Sequence, residues 1–221
     1  ENIIGFKREK THTKIIDLTK KPGDIFEQFG GNTKYKIKRA EREGVVSEIE
    51  KDAGNYMEFF NSFAISKKNY MEVPLLERKD IYSVKDVLTV TKAVLNDETL
   101  VMHSYLVDNE LKKVRLLGTC SLFRYEDASQ KKNLIGMANR LLHYKDIIYF
   151  KEQGYVIYDL GGYAHNTNDA QRGKISEFKD GFGGVLIEES TYTSLPLFLV
   201  REVIRVLRKF QKTQTFRKVY I

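Results

Sequence analysis

Residues 138–162 read ANRLLHYKDIIYFKEQGYVIYDLGG. Up to Phe150 the apolar residues recur at helical spacing, and Gly154 stands where such a helix would stop. From Tyr155 to Leu160 the run is short and mostly apolar, then Gly161 and Gly162 follow, the pattern of a buried strand ending in a tight turn. Upstream, TLVMHSYLV (99–107) and KKVRLLGTCSLFRY (112–125) flank the turn DNEL (108–111), which predicts a hairpin. The helix is long enough for a right-handed crossover, so the strands at 112–125 and 155–162 are predicted to lie parallel. Downstream, KISEFKDG (174–181) predicts a short helix and GVLIEESTY (184–192) a strand. From residue 99 the order is β, β, glycine-bearing turn, α, β, α, β.

Toward the N-terminus, TKIIDLTK (13–20) predicts a strand and PGDIFEQFG (22–30) a short helix with Pro22 near its start. NTKYKIKRAEREG (32–44) predicts a basic helix capped by Asn32 or Thr33 and ended by Gly44. VVSEIEK (45–51) alternates as a strand. NYMEFFNSFAISKKN (55–69) and ERKDIYSVKDVLTVTKAVLN (77–96) are predicted as two amphipathic helices. The last stretch, SLPLFLVREVIRVLRKFQ (194–211), puts Leu195, Leu199, Val203, Val206 and Leu207 on one side and Arg201, Arg205, Arg208 and Lys212 on the other, a helix expected to pack on the core or to rest on a membrane surface.

The chain has 221 residues, 42% of them hydrophobic, with three prolines and no linker-like tract. That is enough to bury one sizeable core, so residues 1–221 are predicted as a single domain. One cysteine, Cys120, excludes an internal disulfide and argues against a cysteine-based metal site; core filling is its expected role. His12, His103, His143 and His165 show no ligand spacing, and no metal is expected. No apolar run reaches the roughly 20 residues that span a bilayer. A cytoplasmic location is expected, with the inner membrane face as a peripheral option. The net charge of +7 favours anionic partners.

Asn133-Leu-Ile-Gly136-Met-Ala138 precedes the long helix. A glycine and a small residue two positions later allow close backbone approach, and the N–H groups of a helix start would face an anion. A plain strand-to-helix turn reads the same way. Lys34, Lys38 and Arg42 share one face of the basic helix, suited to a phosphate or simply solvated. Asp159 closes a buried strand, where a carboxylate often faces a ligand crevice.

The pattern strand, Q/R-x-x-G-x-G/A turn, helix, strand resembles the acyl-CoA-binding core of GNAT-type acyltransferases, with Asn133 in the Gln/Arg place. The set NTKYKIKRAEREG, ANRLLHYKDIIYFKEQGYVIYDLGG and ISEFKDGFGG is more specific and resembles the FemABX-related branch of that superfamily, over most of residues 13–192. The resemblance implies an α/β (α+β) GNAT fold: a mixed, mostly antiparallel sheet with a splayed parallel strand pair, flanked by helices. FemABX enzymes move an aminoacyl group from tRNA to an amine of a peptidoglycan precursor, whereas related single-domain members look like acyl-CoA-dependent N-acyltransferases of surface polysaccharide synthesis.

The leading expectation is therefore an N-acyltransferase taking acyl-CoA, with acetyl-CoA foremost, to an amino sugar or a phosphate-bearing cell-envelope precursor. Aminoacyl-tRNA as donor is the enzyme alternative. A basic RNA-binding module is the non-enzyme one, although no nucleic-acid motif supports it and no DNA partner is expected. The donor is implied to lie between the strands near Thr119 and Cys120, with Asn133, Gly136, Met137, Ala138 and Asn139 around its pyrophosphate. Lys34, Lys36, Lys38, Arg39, Arg140, Gly161 and Gly162 are the candidates for the acceptor. Lys179 matches the Lys of F-K-x-x-F-G, where a cation would stabilise an oxyanion or hold a phosphate. Asp159, Glu177 and His143 are the candidate acid–base groups. FKDGFGG (178–184) is expected to end a helix and turn tightly into the next strand.

Overall fold

The computed structural model describes residues 3–67, 73–124 and 128–205. In chain order the elements are β1 (Phe6–Asp17), α1 (Pro22–Glu27), α2 (Gly31–Arg42), β2 (Val46–Glu50), α3 (Ala53–Lys67), α4 (Arg78–Tyr82), β3 (Leu88–Leu95), β4 (Glu98–Asp108), β5 (Lys113–Ser121), α5 (Ser129–Glu152), β6 (Ile157–Tyr163), α6 (Ala170–Asp180) and β7 (Val185–Ser194). The seven strands form one sheet in the order β2-β3-β4-β5-β6-β1-β7. The pairs from β2 to β5 are antiparallel. β5 and β6 are parallel, as the crossover required. This is the mixed sheet with a parallel pair and flanking helices that the motifs imply.

Three expectations are corrected. The stretch 77–96 is not a second amphipathic helix: only α4 is helical, and Leu88–Leu95 is a strand paired on both edges. The β-branched residues Thr89, Val90, Thr91 and Val94 fit a pleated surface better than a helix. The two-residue turn Asn96-Asp97, with φ of 49° and 64°, closes a hairpin to β4. Asp97→Gly is expected to relieve the left-handed strain and add about 0.5 kcal/mol, read as a rise of ~1–2 °C in melting temperature.

Asn133–Ala138 is not a turn either. α5 starts at Ser129, so these residues lie inside the helix and their N–H groups are committed to its ladder. The N-terminus of α2 is set by the backbone of Gly30 and has no side-chain cap from Asn32 or Thr33.

The chain divides into two compact units, Thr13–Ile187 and a smaller one from Glu1–His12 with Glu188–Ile221. In the larger, helices cover both faces of the sheet. On one, Ile25, Ile37, Leu141, Leu142, Ile147 and Phe150 pack with Val101, Tyr105, Val114 and Tyr158. On the other, Tyr56 and Phe63 of α3 and Ile81 of α4 pack with Val90, Met102 and Cys120.

In the smaller unit, Arg8 donates to Ser190 (2.9 Å), Lys10 pairs with Glu188 (2.9 Å), and the Leu195 N–H donates to the Gly5 carbonyl (2.8 Å). Residues 195–205 are helical. The expected packing of Leu195, Leu199 and Val203 is overturned, since all three are exposed. The half-buried side is that of Phe198 and Glu202, with Lys7 over the Phe198 ring. Val206, Leu207, Arg208 and Lys212 lie outside the described residues. No helix among the described residues is long and apolar enough to cross a membrane.

FKDGFGG resolves into the end of α6 and a turn wedged against α1 and α2. The Gly30 N–H donates to the Gly181 carbonyl (2.9 Å), and Phe182 meets Phe29 edge-on at 5.3 Å. Gly184 has φ +81°, and a Cβ there would lie 2.4 Å from the Ile15 carbonyl oxygen. Two of the motifs thus touch each other: the basic helix begins against the start of the glycine turn. Here the glycines serve chain packing rather than approach to a ligand.

Candidate active site

β5 and β6 pair over three positions only, Lys113↔Ile157, Val114↔Tyr158 and Arg115↔Asp159, and then separate. The separation has a local cause. The register of β4 and β5 shifts between Ser104 and Tyr105, which skips Leu117 and bends β5 away. The gap opens into a cleft of about 610 Å³ between the two strands, the middle of α5, α6 and the end of α3. Leu116, Phe63, Phe123, Ile175 and Phe178 give it apolar walls. Among the described residues lining it, four carry charge, and all are cations: Lys67, Arg140, Lys174 and Lys179.

Lys179 is not a solvated lysine at a helix end. It is only 9% exposed and donates to the Gly162 carbonyl at 2.6 Å. Burial pulls its pKa down to about 8, opposed by the Asp159 carboxylate and aided by Arg115. Gly161, with φ +74°, lets β6 turn beneath it: a Cβ there would lie 2.9 Å from the Leu116 carbonyl oxygen and 4.0 Å from the Lys179 Nζ.

Asp159 is fully buried. It accepts from the Thr13 hydroxyl and from the Gly161 N–H (2.8 Å), and it pairs with Lys113 (2.9 Å) and Arg115 (3.6 Å). Burial raises its pKa, but these donors and cations outweigh burial and the net shift is downward. It remains a carboxylate and is a poor base. It does not line the cleft; its work is to counter the charge of Lys179 and to shape the Gly161 turn.

Glu177 lies on the exposed side of α6, away from the cleft. His143 is 1% exposed. Its ring packs on His103 (4.2 Å) and Phe182 (5.0 Å), and its Nδ1 meets the Tyr158 hydroxyl at 3.0 Å. Burial, with His103, Lys179 and Arg140 adding to it, drives its pKa well down. His143 is therefore a neutral core residue. Helical periodicity alone does not distinguish a histidine facing a cleft from one facing the core.

The expected donor residues divide. Thr119, Gly136 and Asn139 line the cleft. Met137 and Ala138 are buried core side chains, and exposed Asn133 borders a separate hollow between α2 and the start of α5. Cys120 is 1% exposed and donates to the Met102 carbonyl. Burial pushes its thiol up to about 12. Native protein is accordingly expected to resist thiol labelling by a maleimide, with one equivalent incorporated in urea; rapid labelling of the native state would contradict its placement.

Of the acceptor candidates, Lys34 pairs with Glu27 (2.7 Å), Arg39 with Glu43 (3.4 Å), and Lys38 stands over the Phe26 ring. None of the three borders the cleft. Arg140 does: its guanidinium stacks on Phe178 at 4.7 Å and donates to the Gly136 carbonyl, and its buried Nε has no hydrogen-bond partner among the described residues. Burial and the nearby Arg140 charge together depress the pKa of Lys36. Lys36 itself borders the separate hollow between α2 and the start of α5, not the cleft.

Sequence reasoning missed His103. Its Nε2 lies 2.8 Å from the Asn139 Oδ1, and its Nδ1 lies 2.8 Å from the Asp146 carboxylate and 3.1 Å from the Tyr105 hydroxyl. Tyr105 also donates to Asp146 (2.6 Å) and shares a hydrogen bond with Tyr158 (2.7 Å). The available signal was two polar residues seven apart on one face of the helix, Asn139 and Asp146, beside a histidine in an apolar strand.

No protein-family model matches the chain, and no curated protein does. Solved structures do. FemX superposes with a TM-score of 0.67 at 14% identity, covering 89% of this chain and 68% of that one. A C-terminal domain (DUF2156) assigned to a lysylphosphatidylglycerol synthetase from Agrobacterium fabrum gives 0.58 at 15% identity, covering 90% and 65%. The L-PGS structure from Bacillus licheniformis gives 0.55 at 13% identity, covering 89% and 65%. The chain thus spans about two thirds of the length of these structures. It shares the fold of FemX, as the motifs imply.

Proposed function

We propose that the chain is an acyltransferase that moves an acyl or aminoacyl group onto an amine within the splayed cleft. One observation carries this reading: the parallel strands part into a cleft whose charged lining, among the described residues, is cationic, with the buried Lys179 one of its four cations. Unpaired strand backbone can hold an extended donor arm as an added strand would. The cations suit a donor or acceptor that carries phosphates. The amine attacks the donor carbonyl, and the Lys179 ammonium is assigned to the oxyanion that forms; its collapse breaks the bond to the donor's thiolate or ribose oxygen, and that leaving group takes up the proton the amine gives up. Arg140 is assigned to an acceptor phosphate.

Acyl-CoA to an amino sugar or a phosphate-bearing cell-envelope precursor is one donor–acceptor pair. Aminoacyl-tRNA is the second, and two observations favour it. The pattern at 133–138 that suggested a pyrophosphate turn lies within α5, and the fold is shared with FemX.

Thermal shift with a series of acyl-CoAs, set beside aminoacyl-tRNA binding across a salt series, separates the two. A stabilising shift with acetyl-CoA supports the first. No shift with any acyl-CoA, together with tRNA binding that falls steeply with salt, supports the second. RNA binding unaffected by Lys179→Ala, with no response to either donor, contradicts both.

A further inference from the structure

The buried polar string beneath the cleft has one end that reaches it. His103, Tyr105, His143, Asp146 and Tyr158 are each at most 2% exposed. Their hydrogen bonds run from His143 through Tyr158 and Tyr105 to Asp146, then to His103 and out to Asn139. Such a string is costly to bury, and apolar side chains of similar volume would pack the same space at least as well. Its geometry is specific. Asn139 and Asp146 are seven residues apart on α5, two turns, so both face the same side and grip the two ring nitrogens of His103. His103 stands on β4 opposite Thr119 of β5, which itself lines the cleft.

We propose that Asn139 donates a hydrogen bond to an oxygen of the bound substrate, and that His103 and Asp146 are positioning residues that hold its carboxamide for this. The Asp146 carboxylate accepts the ring Nδ1–H, so the Asn139 carboxamide meets Nε2 in one of two ways: its Oδ1 accepts from a ring that carries both protons, or its Nδ2–H donates to a ring that carries one. Either way at least one Nδ2–H is left for the cleft, which Asn139 lines beside Arg140. A cleft lined by ammonium and guanidinium groups binds charge but discriminates shape poorly. A fixed amide donor adds a directional contact for a carbonyl or phosphoryl oxygen. The inference rests on the cleft's being the transferase site.

The test reads the side-chain amide of Asn139 by nitrogen-15 NMR, assigned by its loss in Asn139→Asp. In ligand-free protein, His103→Leu is expected to make this amide mobile, and His103→Gln, which restores a donor, to recover its order. An unchanged amide in His103→Leu overturns the positioning role. Acetyl-CoA and UDP-glucosamine are then titrated as probes. The probe that shifts the backbone amides of Gly161 and Gly162 is expected to shift the Asn139 amide too, and to bind at least tenfold more weakly to Asn139→Ala. Equal affinity in that variant overturns the contact. If neither probe moves any cleft resonance, the acyltransferase reading with these substrates falls, while the ligand-free comparison still decides the role of His103.

Discussion

Replacing Lys179 with methionine is expected to lower acyl transfer by about 10²–10³-fold, the usual loss when one oxyanion-stabilising group is removed. The fold should survive, because methionine keeps the buried stem and the lost hydrogen bond runs only to the Gly162 carbonyl. The same variant carries a stability signature of opposite sign. Lys179 has a folded-state pKa of about 8, below its ordinary 10.5. Between those values the unfolded chain binds more protons than the folded one, so stability rises with pH across that window. Below pH 8 the buried ammonium costs stability, and Lys179→Met should melt higher than the parent. The gap should narrow as pH climbs above 8. Activity should move the other way: if the ammonium is the working form, kcat/KM falls above pH 8. A rate that instead rises through pH 8 and then holds would make Lys179 a base rather than a cation.

Gly184→Ala is expected to cost the fold about 3 kcal/mol, or ~6–12 °C in melting temperature. Two terms combine. An alanine at φ +81° pays the left-handed penalty, and its Cβ would sit 2.4 Å from a backbone oxygen of β1. Backbone cannot rotate aside as a flexible side chain can, so β7 must shift from β1. The last glycine of FKDGFGG therefore lets the chain pack against β1, while Lys179 of the same motif lines the cleft. Transfer measured on whatever fraction of Gly184→Ala stays folded should be near normal, which separates the two roles of one motif.

Much of this architecture was legible in the sequence because it rests on local signals. The helix 139–152, its glycine stop and the strand after it follow from periodicity and end residues, and the crossover rule then dictates a parallel pair. The strand at Leu88–Leu95 was hidden because Ile81, Val84, Val87, Leu88 and Val94 can also be laid on a helix, and only pairing with β2 and β4 decides between the two patterns. The extension of α5 back to Ser129 was hidden because SQKKN is as polar as a turn. At the site, Lys179 was legible from its motif, but its burial depends on Asp159 and on the close approach of β6 to β5. Glu177, one residue earlier on α6, turns to solvent, which spacing alone does not fix. His103 and Asp146 were not legible, since their meaning lies in a contact between strand and helix 43 residues apart.

The proposed function makes one direct demand: an acyl group must leave a donor and appear on an amine, and Lys179 must matter to that step. Mass spectrometry of the products follows it, with acetyl-CoA and alanyl-tRNA as donors and UDP-glucosamine and a UDP-linked muramyl pentapeptide as acceptors. The predicted result is an acceptor heavier by one acyl or alanyl group, formed with the parent protein and reduced at least a hundredfold in Lys179→Met. An acylated acceptor formed equally well by both proteins, or no acylated product from any pairing while the protein remains folded, would contradict the account.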